Sequence, residues 1–109
     1  MSIFTINKNE QRVTMILPKE VKSRDKIRRD FSMIRKDEKN KTRFHMNSEE
    51  SFIIKELEIK FNRTEFISRT AADEILYQTD MLTTKIKFKE LSGDISKMMA
   101  AVRKTHYAK

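Results

Sequence analysis

The sequence contains no cysteine and no tryptophan, and it has only one glycine and one proline in 109 residues. Without cysteine the chain can form neither disulfides nor metal sites built from thiolates. A single glycine cannot build a glycine-rich loop that cradles phosphate, and the scarcity of glycine and proline leaves no flexible linker. We therefore expect one domain over residues 1–109, divided into a basic N-terminal extension (1–40), a core (41–82) and a C-terminal strand and helix (83–109).

Long apolar runs are missing as well. No apolar stretch approaches the ~20 residues of a membrane span, and the first residues, MSIFTINKNEQ, lack the charged start and apolar core of a secretory signal. We expect a cytoplasmic protein that makes no membrane contact. The two histidines lie far apart in the sequence, and no metal-ligand spacing accompanies them. We therefore expect no cofactor, no metal and no enzymatic activity.

Positive charge is abundant and unevenly placed. The chain holds 24 Lys/Arg against 16 Asp/Glu, and residues 1–43 hold 13 of the basic residues against 6 acids. A concentrated basic face favours a nucleic-acid partner, because neutralised phosphates release their counterions. Arg28 and Arg29 belong to this cluster and are candidate DNA contacts. Acids are interleaved with the cluster, however, so an ordinary solvated helix remains the alternative.

Residues 41–76 predict one strand followed by two helices. Lys41, Arg43, His45 and Asn47 alternate with apolar and hydroxyl side chains, which is typical of a half-buried strand. Ser48 before two glutamates is a helix-start signal. A helical stripe then follows at spacings of three and four, formed by Phe52, Ile53, Leu57 and either Lys60 or Phe61. Asn62–Thr64 offers a break and a second cap, after which a second apolar stripe continues towards Leu82.

At these residues the segment resembles the ribbon-helix-helix family, whose members enter their first helix through S/T/P-E-E. The phrase NRTEFISRTAADEI is similar to the opening of the family's second helix. In that family two chains pair their strands into a ribbon that enters the DNA major groove. The resemblance implies a homodimer in which Lys41, Arg43, His45 and Asn47 face base edges. It also implies that Asn62, Arg63 and Thr64 hold a phosphate at a helix N-terminus.

Two other interpretations of the same residues stay open. One is a winged helix-turn-helix in which residues 52–76 form the two helices and residues 84–89 form the wing. The other is a strand and two helices in any small α+β domain, since S-E-E and T-E-F-I are ordinary helix openings. The predicted fold class is α+β under all of these interpretations.

The flanking segments predict further elements. IFTI (3–6) and RVTMIL (12–17) indicate a hairpin, and residues 19–38 indicate a helix. TTKIKFKEL indicates a strand whose polar face consists of Lys85, Lys87 and Lys89; these lysines either protect a sheet edge or contact phosphate. Gly93 or Asp94 opens a last helix with the apolar stripe Ile95, Met98, Met99 and Val102, which suits either the core or a partner protein.

The leading functional hypothesis is a sequence-specific binder of double-stranded DNA. Its biological role would be that of a transcriptional repressor, or of an accessory factor at a plasmid transfer origin or partition site, like the relaxosome accessory proteins that the arrangement resembles. The alternative is an antitoxin or other interaction module whose C-terminal segment binds a partner protein.

Overall fold

A computed structural model describes residues 1–107 and gives a mixed α+β fold with three helices and nine strands in that range. In chain order the elements are β1 (Ile3–Asn7), β2 (Arg12–Ile16), β3 (Glu20–Val21), α1 (Arg24–Phe31), β4 (Ile34–Lys36), β5 (Thr42–His45), β6 (Ser51–Ile53), β7 (Glu56–Lys60), β8 (Phe66–Ile67), α2 (Arg69–Asp80), β9 (Lys85–Lys89) and α3 (Gly93–Tyr107).

The largest sheet has four strands in the order β1-β2-β7-β9. β1 and β2 form an antiparallel hairpin, whereas β2, β7 and β9 run parallel to one another. Because side chains alternate along a strand, one face of this sheet is apolar and the other is polar. Val13, Met15, Leu57 and Ile59 lie on the apolar face and are fully buried.

Two smaller sheets and the helices complete the fold. β4, β5 and β6 form an antiparallel three-stranded sheet, and β3 pairs with β8 in parallel. The three-stranded sheet packs on β1, with the rings of Phe4 and Phe44 5.3 Å apart. A single hydrophobic cluster joins residues of all three sheets and all three helices. Among the described residues, no helix is both long and apolar enough to cross a membrane.

Several sequence-based predictions are confirmed. The N-terminal hairpin forms as β1 and β2, the cationic strand forms as β9, and the last helix begins at Gly93. β9 lies at an edge of the sheet, as one of the two interpretations of its lysines requires. Ile95, Met99 and Val102 on α3 are buried within the chain. The apolar stripe that suggested a docking site for a partner protein is therefore used in the core.

The prediction of a helix after Ser48 is wrong. Residues 51–60 form β6 and β7 instead, and the ribbon-helix-helix core is not confirmed. The winged helix-turn-helix prediction also required a helix in these residues. The side chain of Asn47 accepts hydrogen bonds from the backbone amides of Glu49 and Glu50 and so closes the turn between β5 and β6. S-E-E thus lies in an Asx turn rather than at a helix start.

Two helix boundaries also differ from the prediction. The predicted helix over residues 19–38 is divided into β3, α1 and β4. The hydroxyl of Ser23 caps α1 by accepting a hydrogen bond from the amide of Lys26, and the helix ends at Phe31. The second core helix begins at Arg69, where the hydroxyl of Ser68 accepts from the amide of Ala71. Thr64 caps no helix, since its hydroxyl donates to the carbonyl of Pro18.

Candidate nucleic-acid interface

The β4–β5 hairpin concentrates basic side chains on a short piece of backbone. Residues 34–45 contain five Lys/Arg against two acids. We call these five residues the basic hairpin: Arg35, Lys36, Lys39, Lys41 and Arg43. The inward-facing residues Ile34, Thr42 and Phe44 are buried, so the strands are anchored in the core while the charged groups stay in contact with water.

Asp37 holds the turn of the basic hairpin in one shape. Its carboxylate accepts hydrogen bonds from the amides of Lys39 (2.9 Å) and Lys41 (3.0 Å) and from Nε of Arg43 (2.9 Å). These bonds, led by that from the Lys41 amide, lower the pKa of Asp37. Asn40 takes a positive φ of 62°, a conformation that asparagine tolerates better than most residues. The turn is therefore preorganised without needing a ligand.

The tip of the hairpin is also bonded to the body of the protein. The hydroxyl of Thr83 donates to the carbonyl of Asn40 (2.6 Å), and the amide of Thr83 donates to the hydroxyl of Thr42 (3.1 Å). Thr83 lies between α2 and β9. The hairpin is thus a fixed surface and not a free arm.

Arg35 and Arg43 lie directly opposite each other in the β4–β5 register. Side chains in such a pair project from the same face, and like charges placed this way repel. Arg43 is paired with Asp37, whereas Arg35 has no ion pair among the described residues. The pKa of His45 is lowered by partial burial first, and then by the positive charges of Arg35 and Arg43. This face of β4 and β5 therefore carries a positive potential, and a bound anion would weaken the repulsion between Arg35 and Arg43.

Two lysines extend the basic hairpin towards the large sheet. The amide of Ile54 donates to the carbonyl of Thr42, and the amide of Lys85 donates to the carbonyl of Lys55. The backbone at Lys55 and Lys85 therefore lies close to Thr42, the first residue of β5, and both lysines are exposed. Neither has an ion pair within the described part of the chain. Of the three predicted lysines of β9, Lys85 is thus the one whose backbone lies nearest to the basic hairpin.

Lys87 and Lys89 lie on the polar face of the large sheet and are paired there. Lys87 contacts Glu56 (3.2 Å) and Lys89 contacts Glu58 (2.7 Å). Their charges are partly neutralised within the sheet, so they offer less unpaired positive charge than Lys85. Glu58 is only 7 % exposed and also accepts a hydrogen bond from the hydroxyl of Thr14.

Replacing Glu58 with glutamine should reduce stability at neutral pH. The pKa of Glu58 is lowered, chiefly by its hydrogen bond from Lys89 and also by Thr14 and the charge of Arg12. A carboxyl whose folded pKa lies below its unfolded value stabilises the fold above about pH 4.5, and this contribution is lost as pH falls through the lower folded pKa. We expect Glu58→Gln to cost about 1–3 kcal/mol at pH 7 and to flatten the loss of stability in acid.

Urea unfolding of wild type and Glu58→Gln between pH 7 and pH 3 checks this expectation, with the exposed Glu49→Gln as the matched control. Parallel pH profiles for wild type and Glu58→Gln would contradict it.

The arginines of α1 serve different purposes. Arg28 contacts the buried carboxylate of Glu74 through Nε (3.2 Å), and Arg24 contacts the same carboxylate (3.6 Å). Glu74 also accepts from Gln78 (2.7 Å). Arg28 therefore joins α1 to α2, although it also lines a cleft of about 410 Å³ together with Arg35 and Lys36. Arg29 is exposed and has no ion pair among the described residues.

The remaining predicted contacts lie away from the basic hairpin. Asn62, Arg63 and Thr64 follow the C-terminal end of β7, whereas Lys55 precedes its N-terminal end. A five-residue strand separates the two ends by roughly 16 Å. Thr64 is buried and bonded to Pro18, and Asn47 is used in its own turn. The structure thus brings together Lys41, Arg43, His45 and Lys85 but not the predicted phosphate site at residues 62–64.

The sequence places Arg35 in the N-terminal basic cluster but predicts the wrong element for it, and it does not indicate Lys55 as a member of the surface. Arg35 was assigned to a long helix, where it could not lie opposite Arg43, and Lys55 was assigned to the interior of another helix. The strand β4 has only three residues, Ile34–Lys36, and one apolar residue among them is too little to indicate a strand from the sequence alone. Comparison of the chain with family models, curated proteins and solved structures found no match. The geometry of the described residues is therefore the basis for the functional proposal.

Proposed function

We propose that this chain binds double-stranded DNA, with the basic hairpin as the contact surface. The observation that supports this proposal is the pairing of Arg35 with Arg43 on one face, beside a histidine whose pKa both arginines lower. Such a concentration of like charge costs stability in the free protein. Phosphate oxygens would supply a negative partner for Arg35, which has no ion pair among the described residues, and the planar arginine fork matches their geometry.

The shape of the surface suits a duplex. β4 and β5 are two strands of a three-stranded sheet whose inner face is buried, and β-sheets as well as β-ribbons are used by proteins that place strands in a DNA groove. In the proposed complex the turn residues Lys39 and Lys41 contact phosphates, together with Lys55 and Lys85 beside them. Arg43 and His45, further along β5, face the base edges. Phosphate contacts would position the protein, and contacts to bases would provide specificity.

Sequence-specific binding would fit the biological role that we propose with it, a transcriptional repressor or an accessory factor at a plasmid transfer origin or partition site. In either role the protein must distinguish one site from a large excess of bulk DNA. Arg43 is the best-placed residue for that purpose, because arginine reads guanine through two hydrogen bonds. The hydrogen bond from Nε of Arg43 to Oδ2 of Asp37 (2.9 Å) holds the guanidinium in place.

Random-site selection on duplex DNA at physiological salt tests this proposal. We expect an enriched motif with the wild-type chain and a motif that loses definition with Arg43→Ala, since removal of a base-reading arginine relaxes specificity at the bases it contacts. Arg103→Ala, which removes an exposed charge from α3, is the matched control and should leave the motif unchanged. A motif that survives Arg43→Ala would contradict the assignment of β5 as the reading strand. No enrichment and no salt-dependent binding of bulk DNA would refute the DNA proposal itself.

A further inference from the structure

The two edges of the four-stranded sheet differ sharply in charge. β9 forms one edge and carries Lys85, Lys87 and Lys89 on its polar face. β1 forms the other edge, and its sequence IFTIN contains no charged residue and no proline. Edge strands present unpaired backbone groups, and proteins usually protect them with charges, proline or bulges. β9 has this protection and β1 lacks it.

The composition of β1 also suits pairing with another strand. Isoleucine, phenylalanine and threonine are among the residues most favoured in strands. Ile3 is an exposed large apolar residue, at 49 %. Phe4 and Ile6, which point inward, are only partly buried against the core. An added strand would cover apolar surface on both faces of β1.

We propose that β1 pairs antiparallel with β1 of a second copy of this chain and thereby forms a symmetric dimer with an eight-stranded sheet. The absence of charged side chains from β1 allows a second copy as the occupant, and the self-complementary register of β1 favours it. The chain has a net charge of +8, so two copies repel each other over most of their surface, and the neutral β1 is where they can approach without placing like charges opposite each other. The cationic β9 edge, by contrast, would repel its own symmetry mate.

In a two-fold register centred on Thr5, the side chains on both faces of β1 lie opposite compatible partners. Thr5 then lies opposite its symmetry mate, and Phe4 lies opposite the partner's Ile6, so the inward face gains an aromatic–aliphatic pair. A two-fold axis perpendicular to the sheet keeps the inner faces of both copies on the same side. Because Phe44 of β5 packs on Phe4, the two three-stranded sheets would flank the axis. The dimer does not depend on DNA binding, but it would place two basic hairpins on one side of the assembly.

Sedimentation velocity of the full chain over a range of concentrations tests the proposal, with Thr5→Lys as the disrupting variant. Thr5 is exposed, so a lysine is accommodated in the monomer, whereas in the dimer two lysines would face each other at the axis. We expect wild type to sediment as twice 13.0 kDa and Thr5→Lys to dissociate with a Kd raised roughly 100-fold. Ser96→Lys adds the same charge on the exposed side of α3 and should remain a dimer.

Hydrogen exchange provides a second measurement that does not depend on a substitution. Backbone amides of β1 should exchange more slowly at concentrations where the dimer forms, while amides of β9 should not change. Circular dichroism verifies that Thr5→Lys remains folded. Three results would each overturn the proposal: a monomeric wild type, a dimer that persists in Thr5→Lys, or β1 amides whose exchange rates do not change with concentration. None of them would bear on the DNA proposal.

Discussion

Duplex DNA affinity should fall about 100-fold when Arg35 and Arg43 are both replaced by alanine, since two charge-assisted hydrogen bonds of roughly 1.5 kcal/mol each are lost. The slope of log K against log salt concentration should also decrease by about 0.9, because Arg35 is the phosphate contact that the double variant loses, whereas Arg43 faces the base edges. The two arginines lie opposite each other on one face, so the double variant removes the centre of the proposed surface. Fluorescence anisotropy with a labelled duplex at several salt concentrations measures both quantities.

The expected change in stability separates a binding defect from a folding defect. Removing Arg35 relieves repulsion with Arg43, while removing Arg43 gives up its bond to Asp37. These two effects oppose each other, so the Tm should change little. A matched control is the double variant Lys97→Ala and Arg103→Ala, which removes two exposed charges from α3. Equal losses of affinity in the two double variants would mean that net charge, rather than the basic hairpin, determines binding.

Ile59→Ala should destabilise the protein by about 2–5 kcal/mol, the usual cost of truncating a fully buried isoleucine. Ile59 is 0 % exposed and lies in β7, where it faces Met15 of β2 and Phe88 of β9 across the strand register. A helix over the same residues would place Ile59 outside the predicted apolar stripe and make its truncation nearly harmless. The free energy of unfolding, measured by urea titration, therefore tests the strand assignment directly.

Ile53→Ala is the matched control for this substitution. Ile53 belonged to the predicted helical stripe, but in the structure it is half-buried on the outer face of β6. Truncating it should cost about 1 kcal/mol, in proportion to the apolar area it removes from water. A larger loss at Ile53 than at Ile59 would favour a helix over the strands β6 and β7.

The elements that could be predicted from the sequence are those in which local pattern and tertiary context agree. KIKFK alternates strictly, IFTI and RVTMI alternate except at their terminal residues Ile3 and Ile16, and all three form edge or hairpin strands. Ser23 and Ser68 cap helices as serine usually does, although neither was identified as a cap. Strand alternation and hairpin pairing depend on residues that are close in the sequence, so they can be recognised from the sequence alone.

The missed strand β7 shows where local pattern is insufficient. The apolar residues around ELEIKF fit a spacing of two (Leu57, Ile59 and Phe61) as well as spacings of three and four. Glutamate, leucine and lysine favour helices. β7 is a strand because β2 and β9 bond to it on both sides, and those partners lie far away in sequence. Lys55 was not indicated for the same reason, since it approaches Lys85 only through this parallel pairing.

The parallel arrangement of β2, β7 and β9 also determines the order in which the chain can fold. Arg12 pairs with Glu56 and Glu56 pairs with Lys85, so both pairings close long loops, which is slow compared with forming local hairpins. The hairpins β1–β2 and β4–β5 need only neighbouring residues and can form early. During synthesis the edge of β2 therefore stays unpaired until β7 is made, and the edge of β7 until β9 is made, so the central sheet is exposed to aggregation until residue 89 has been added.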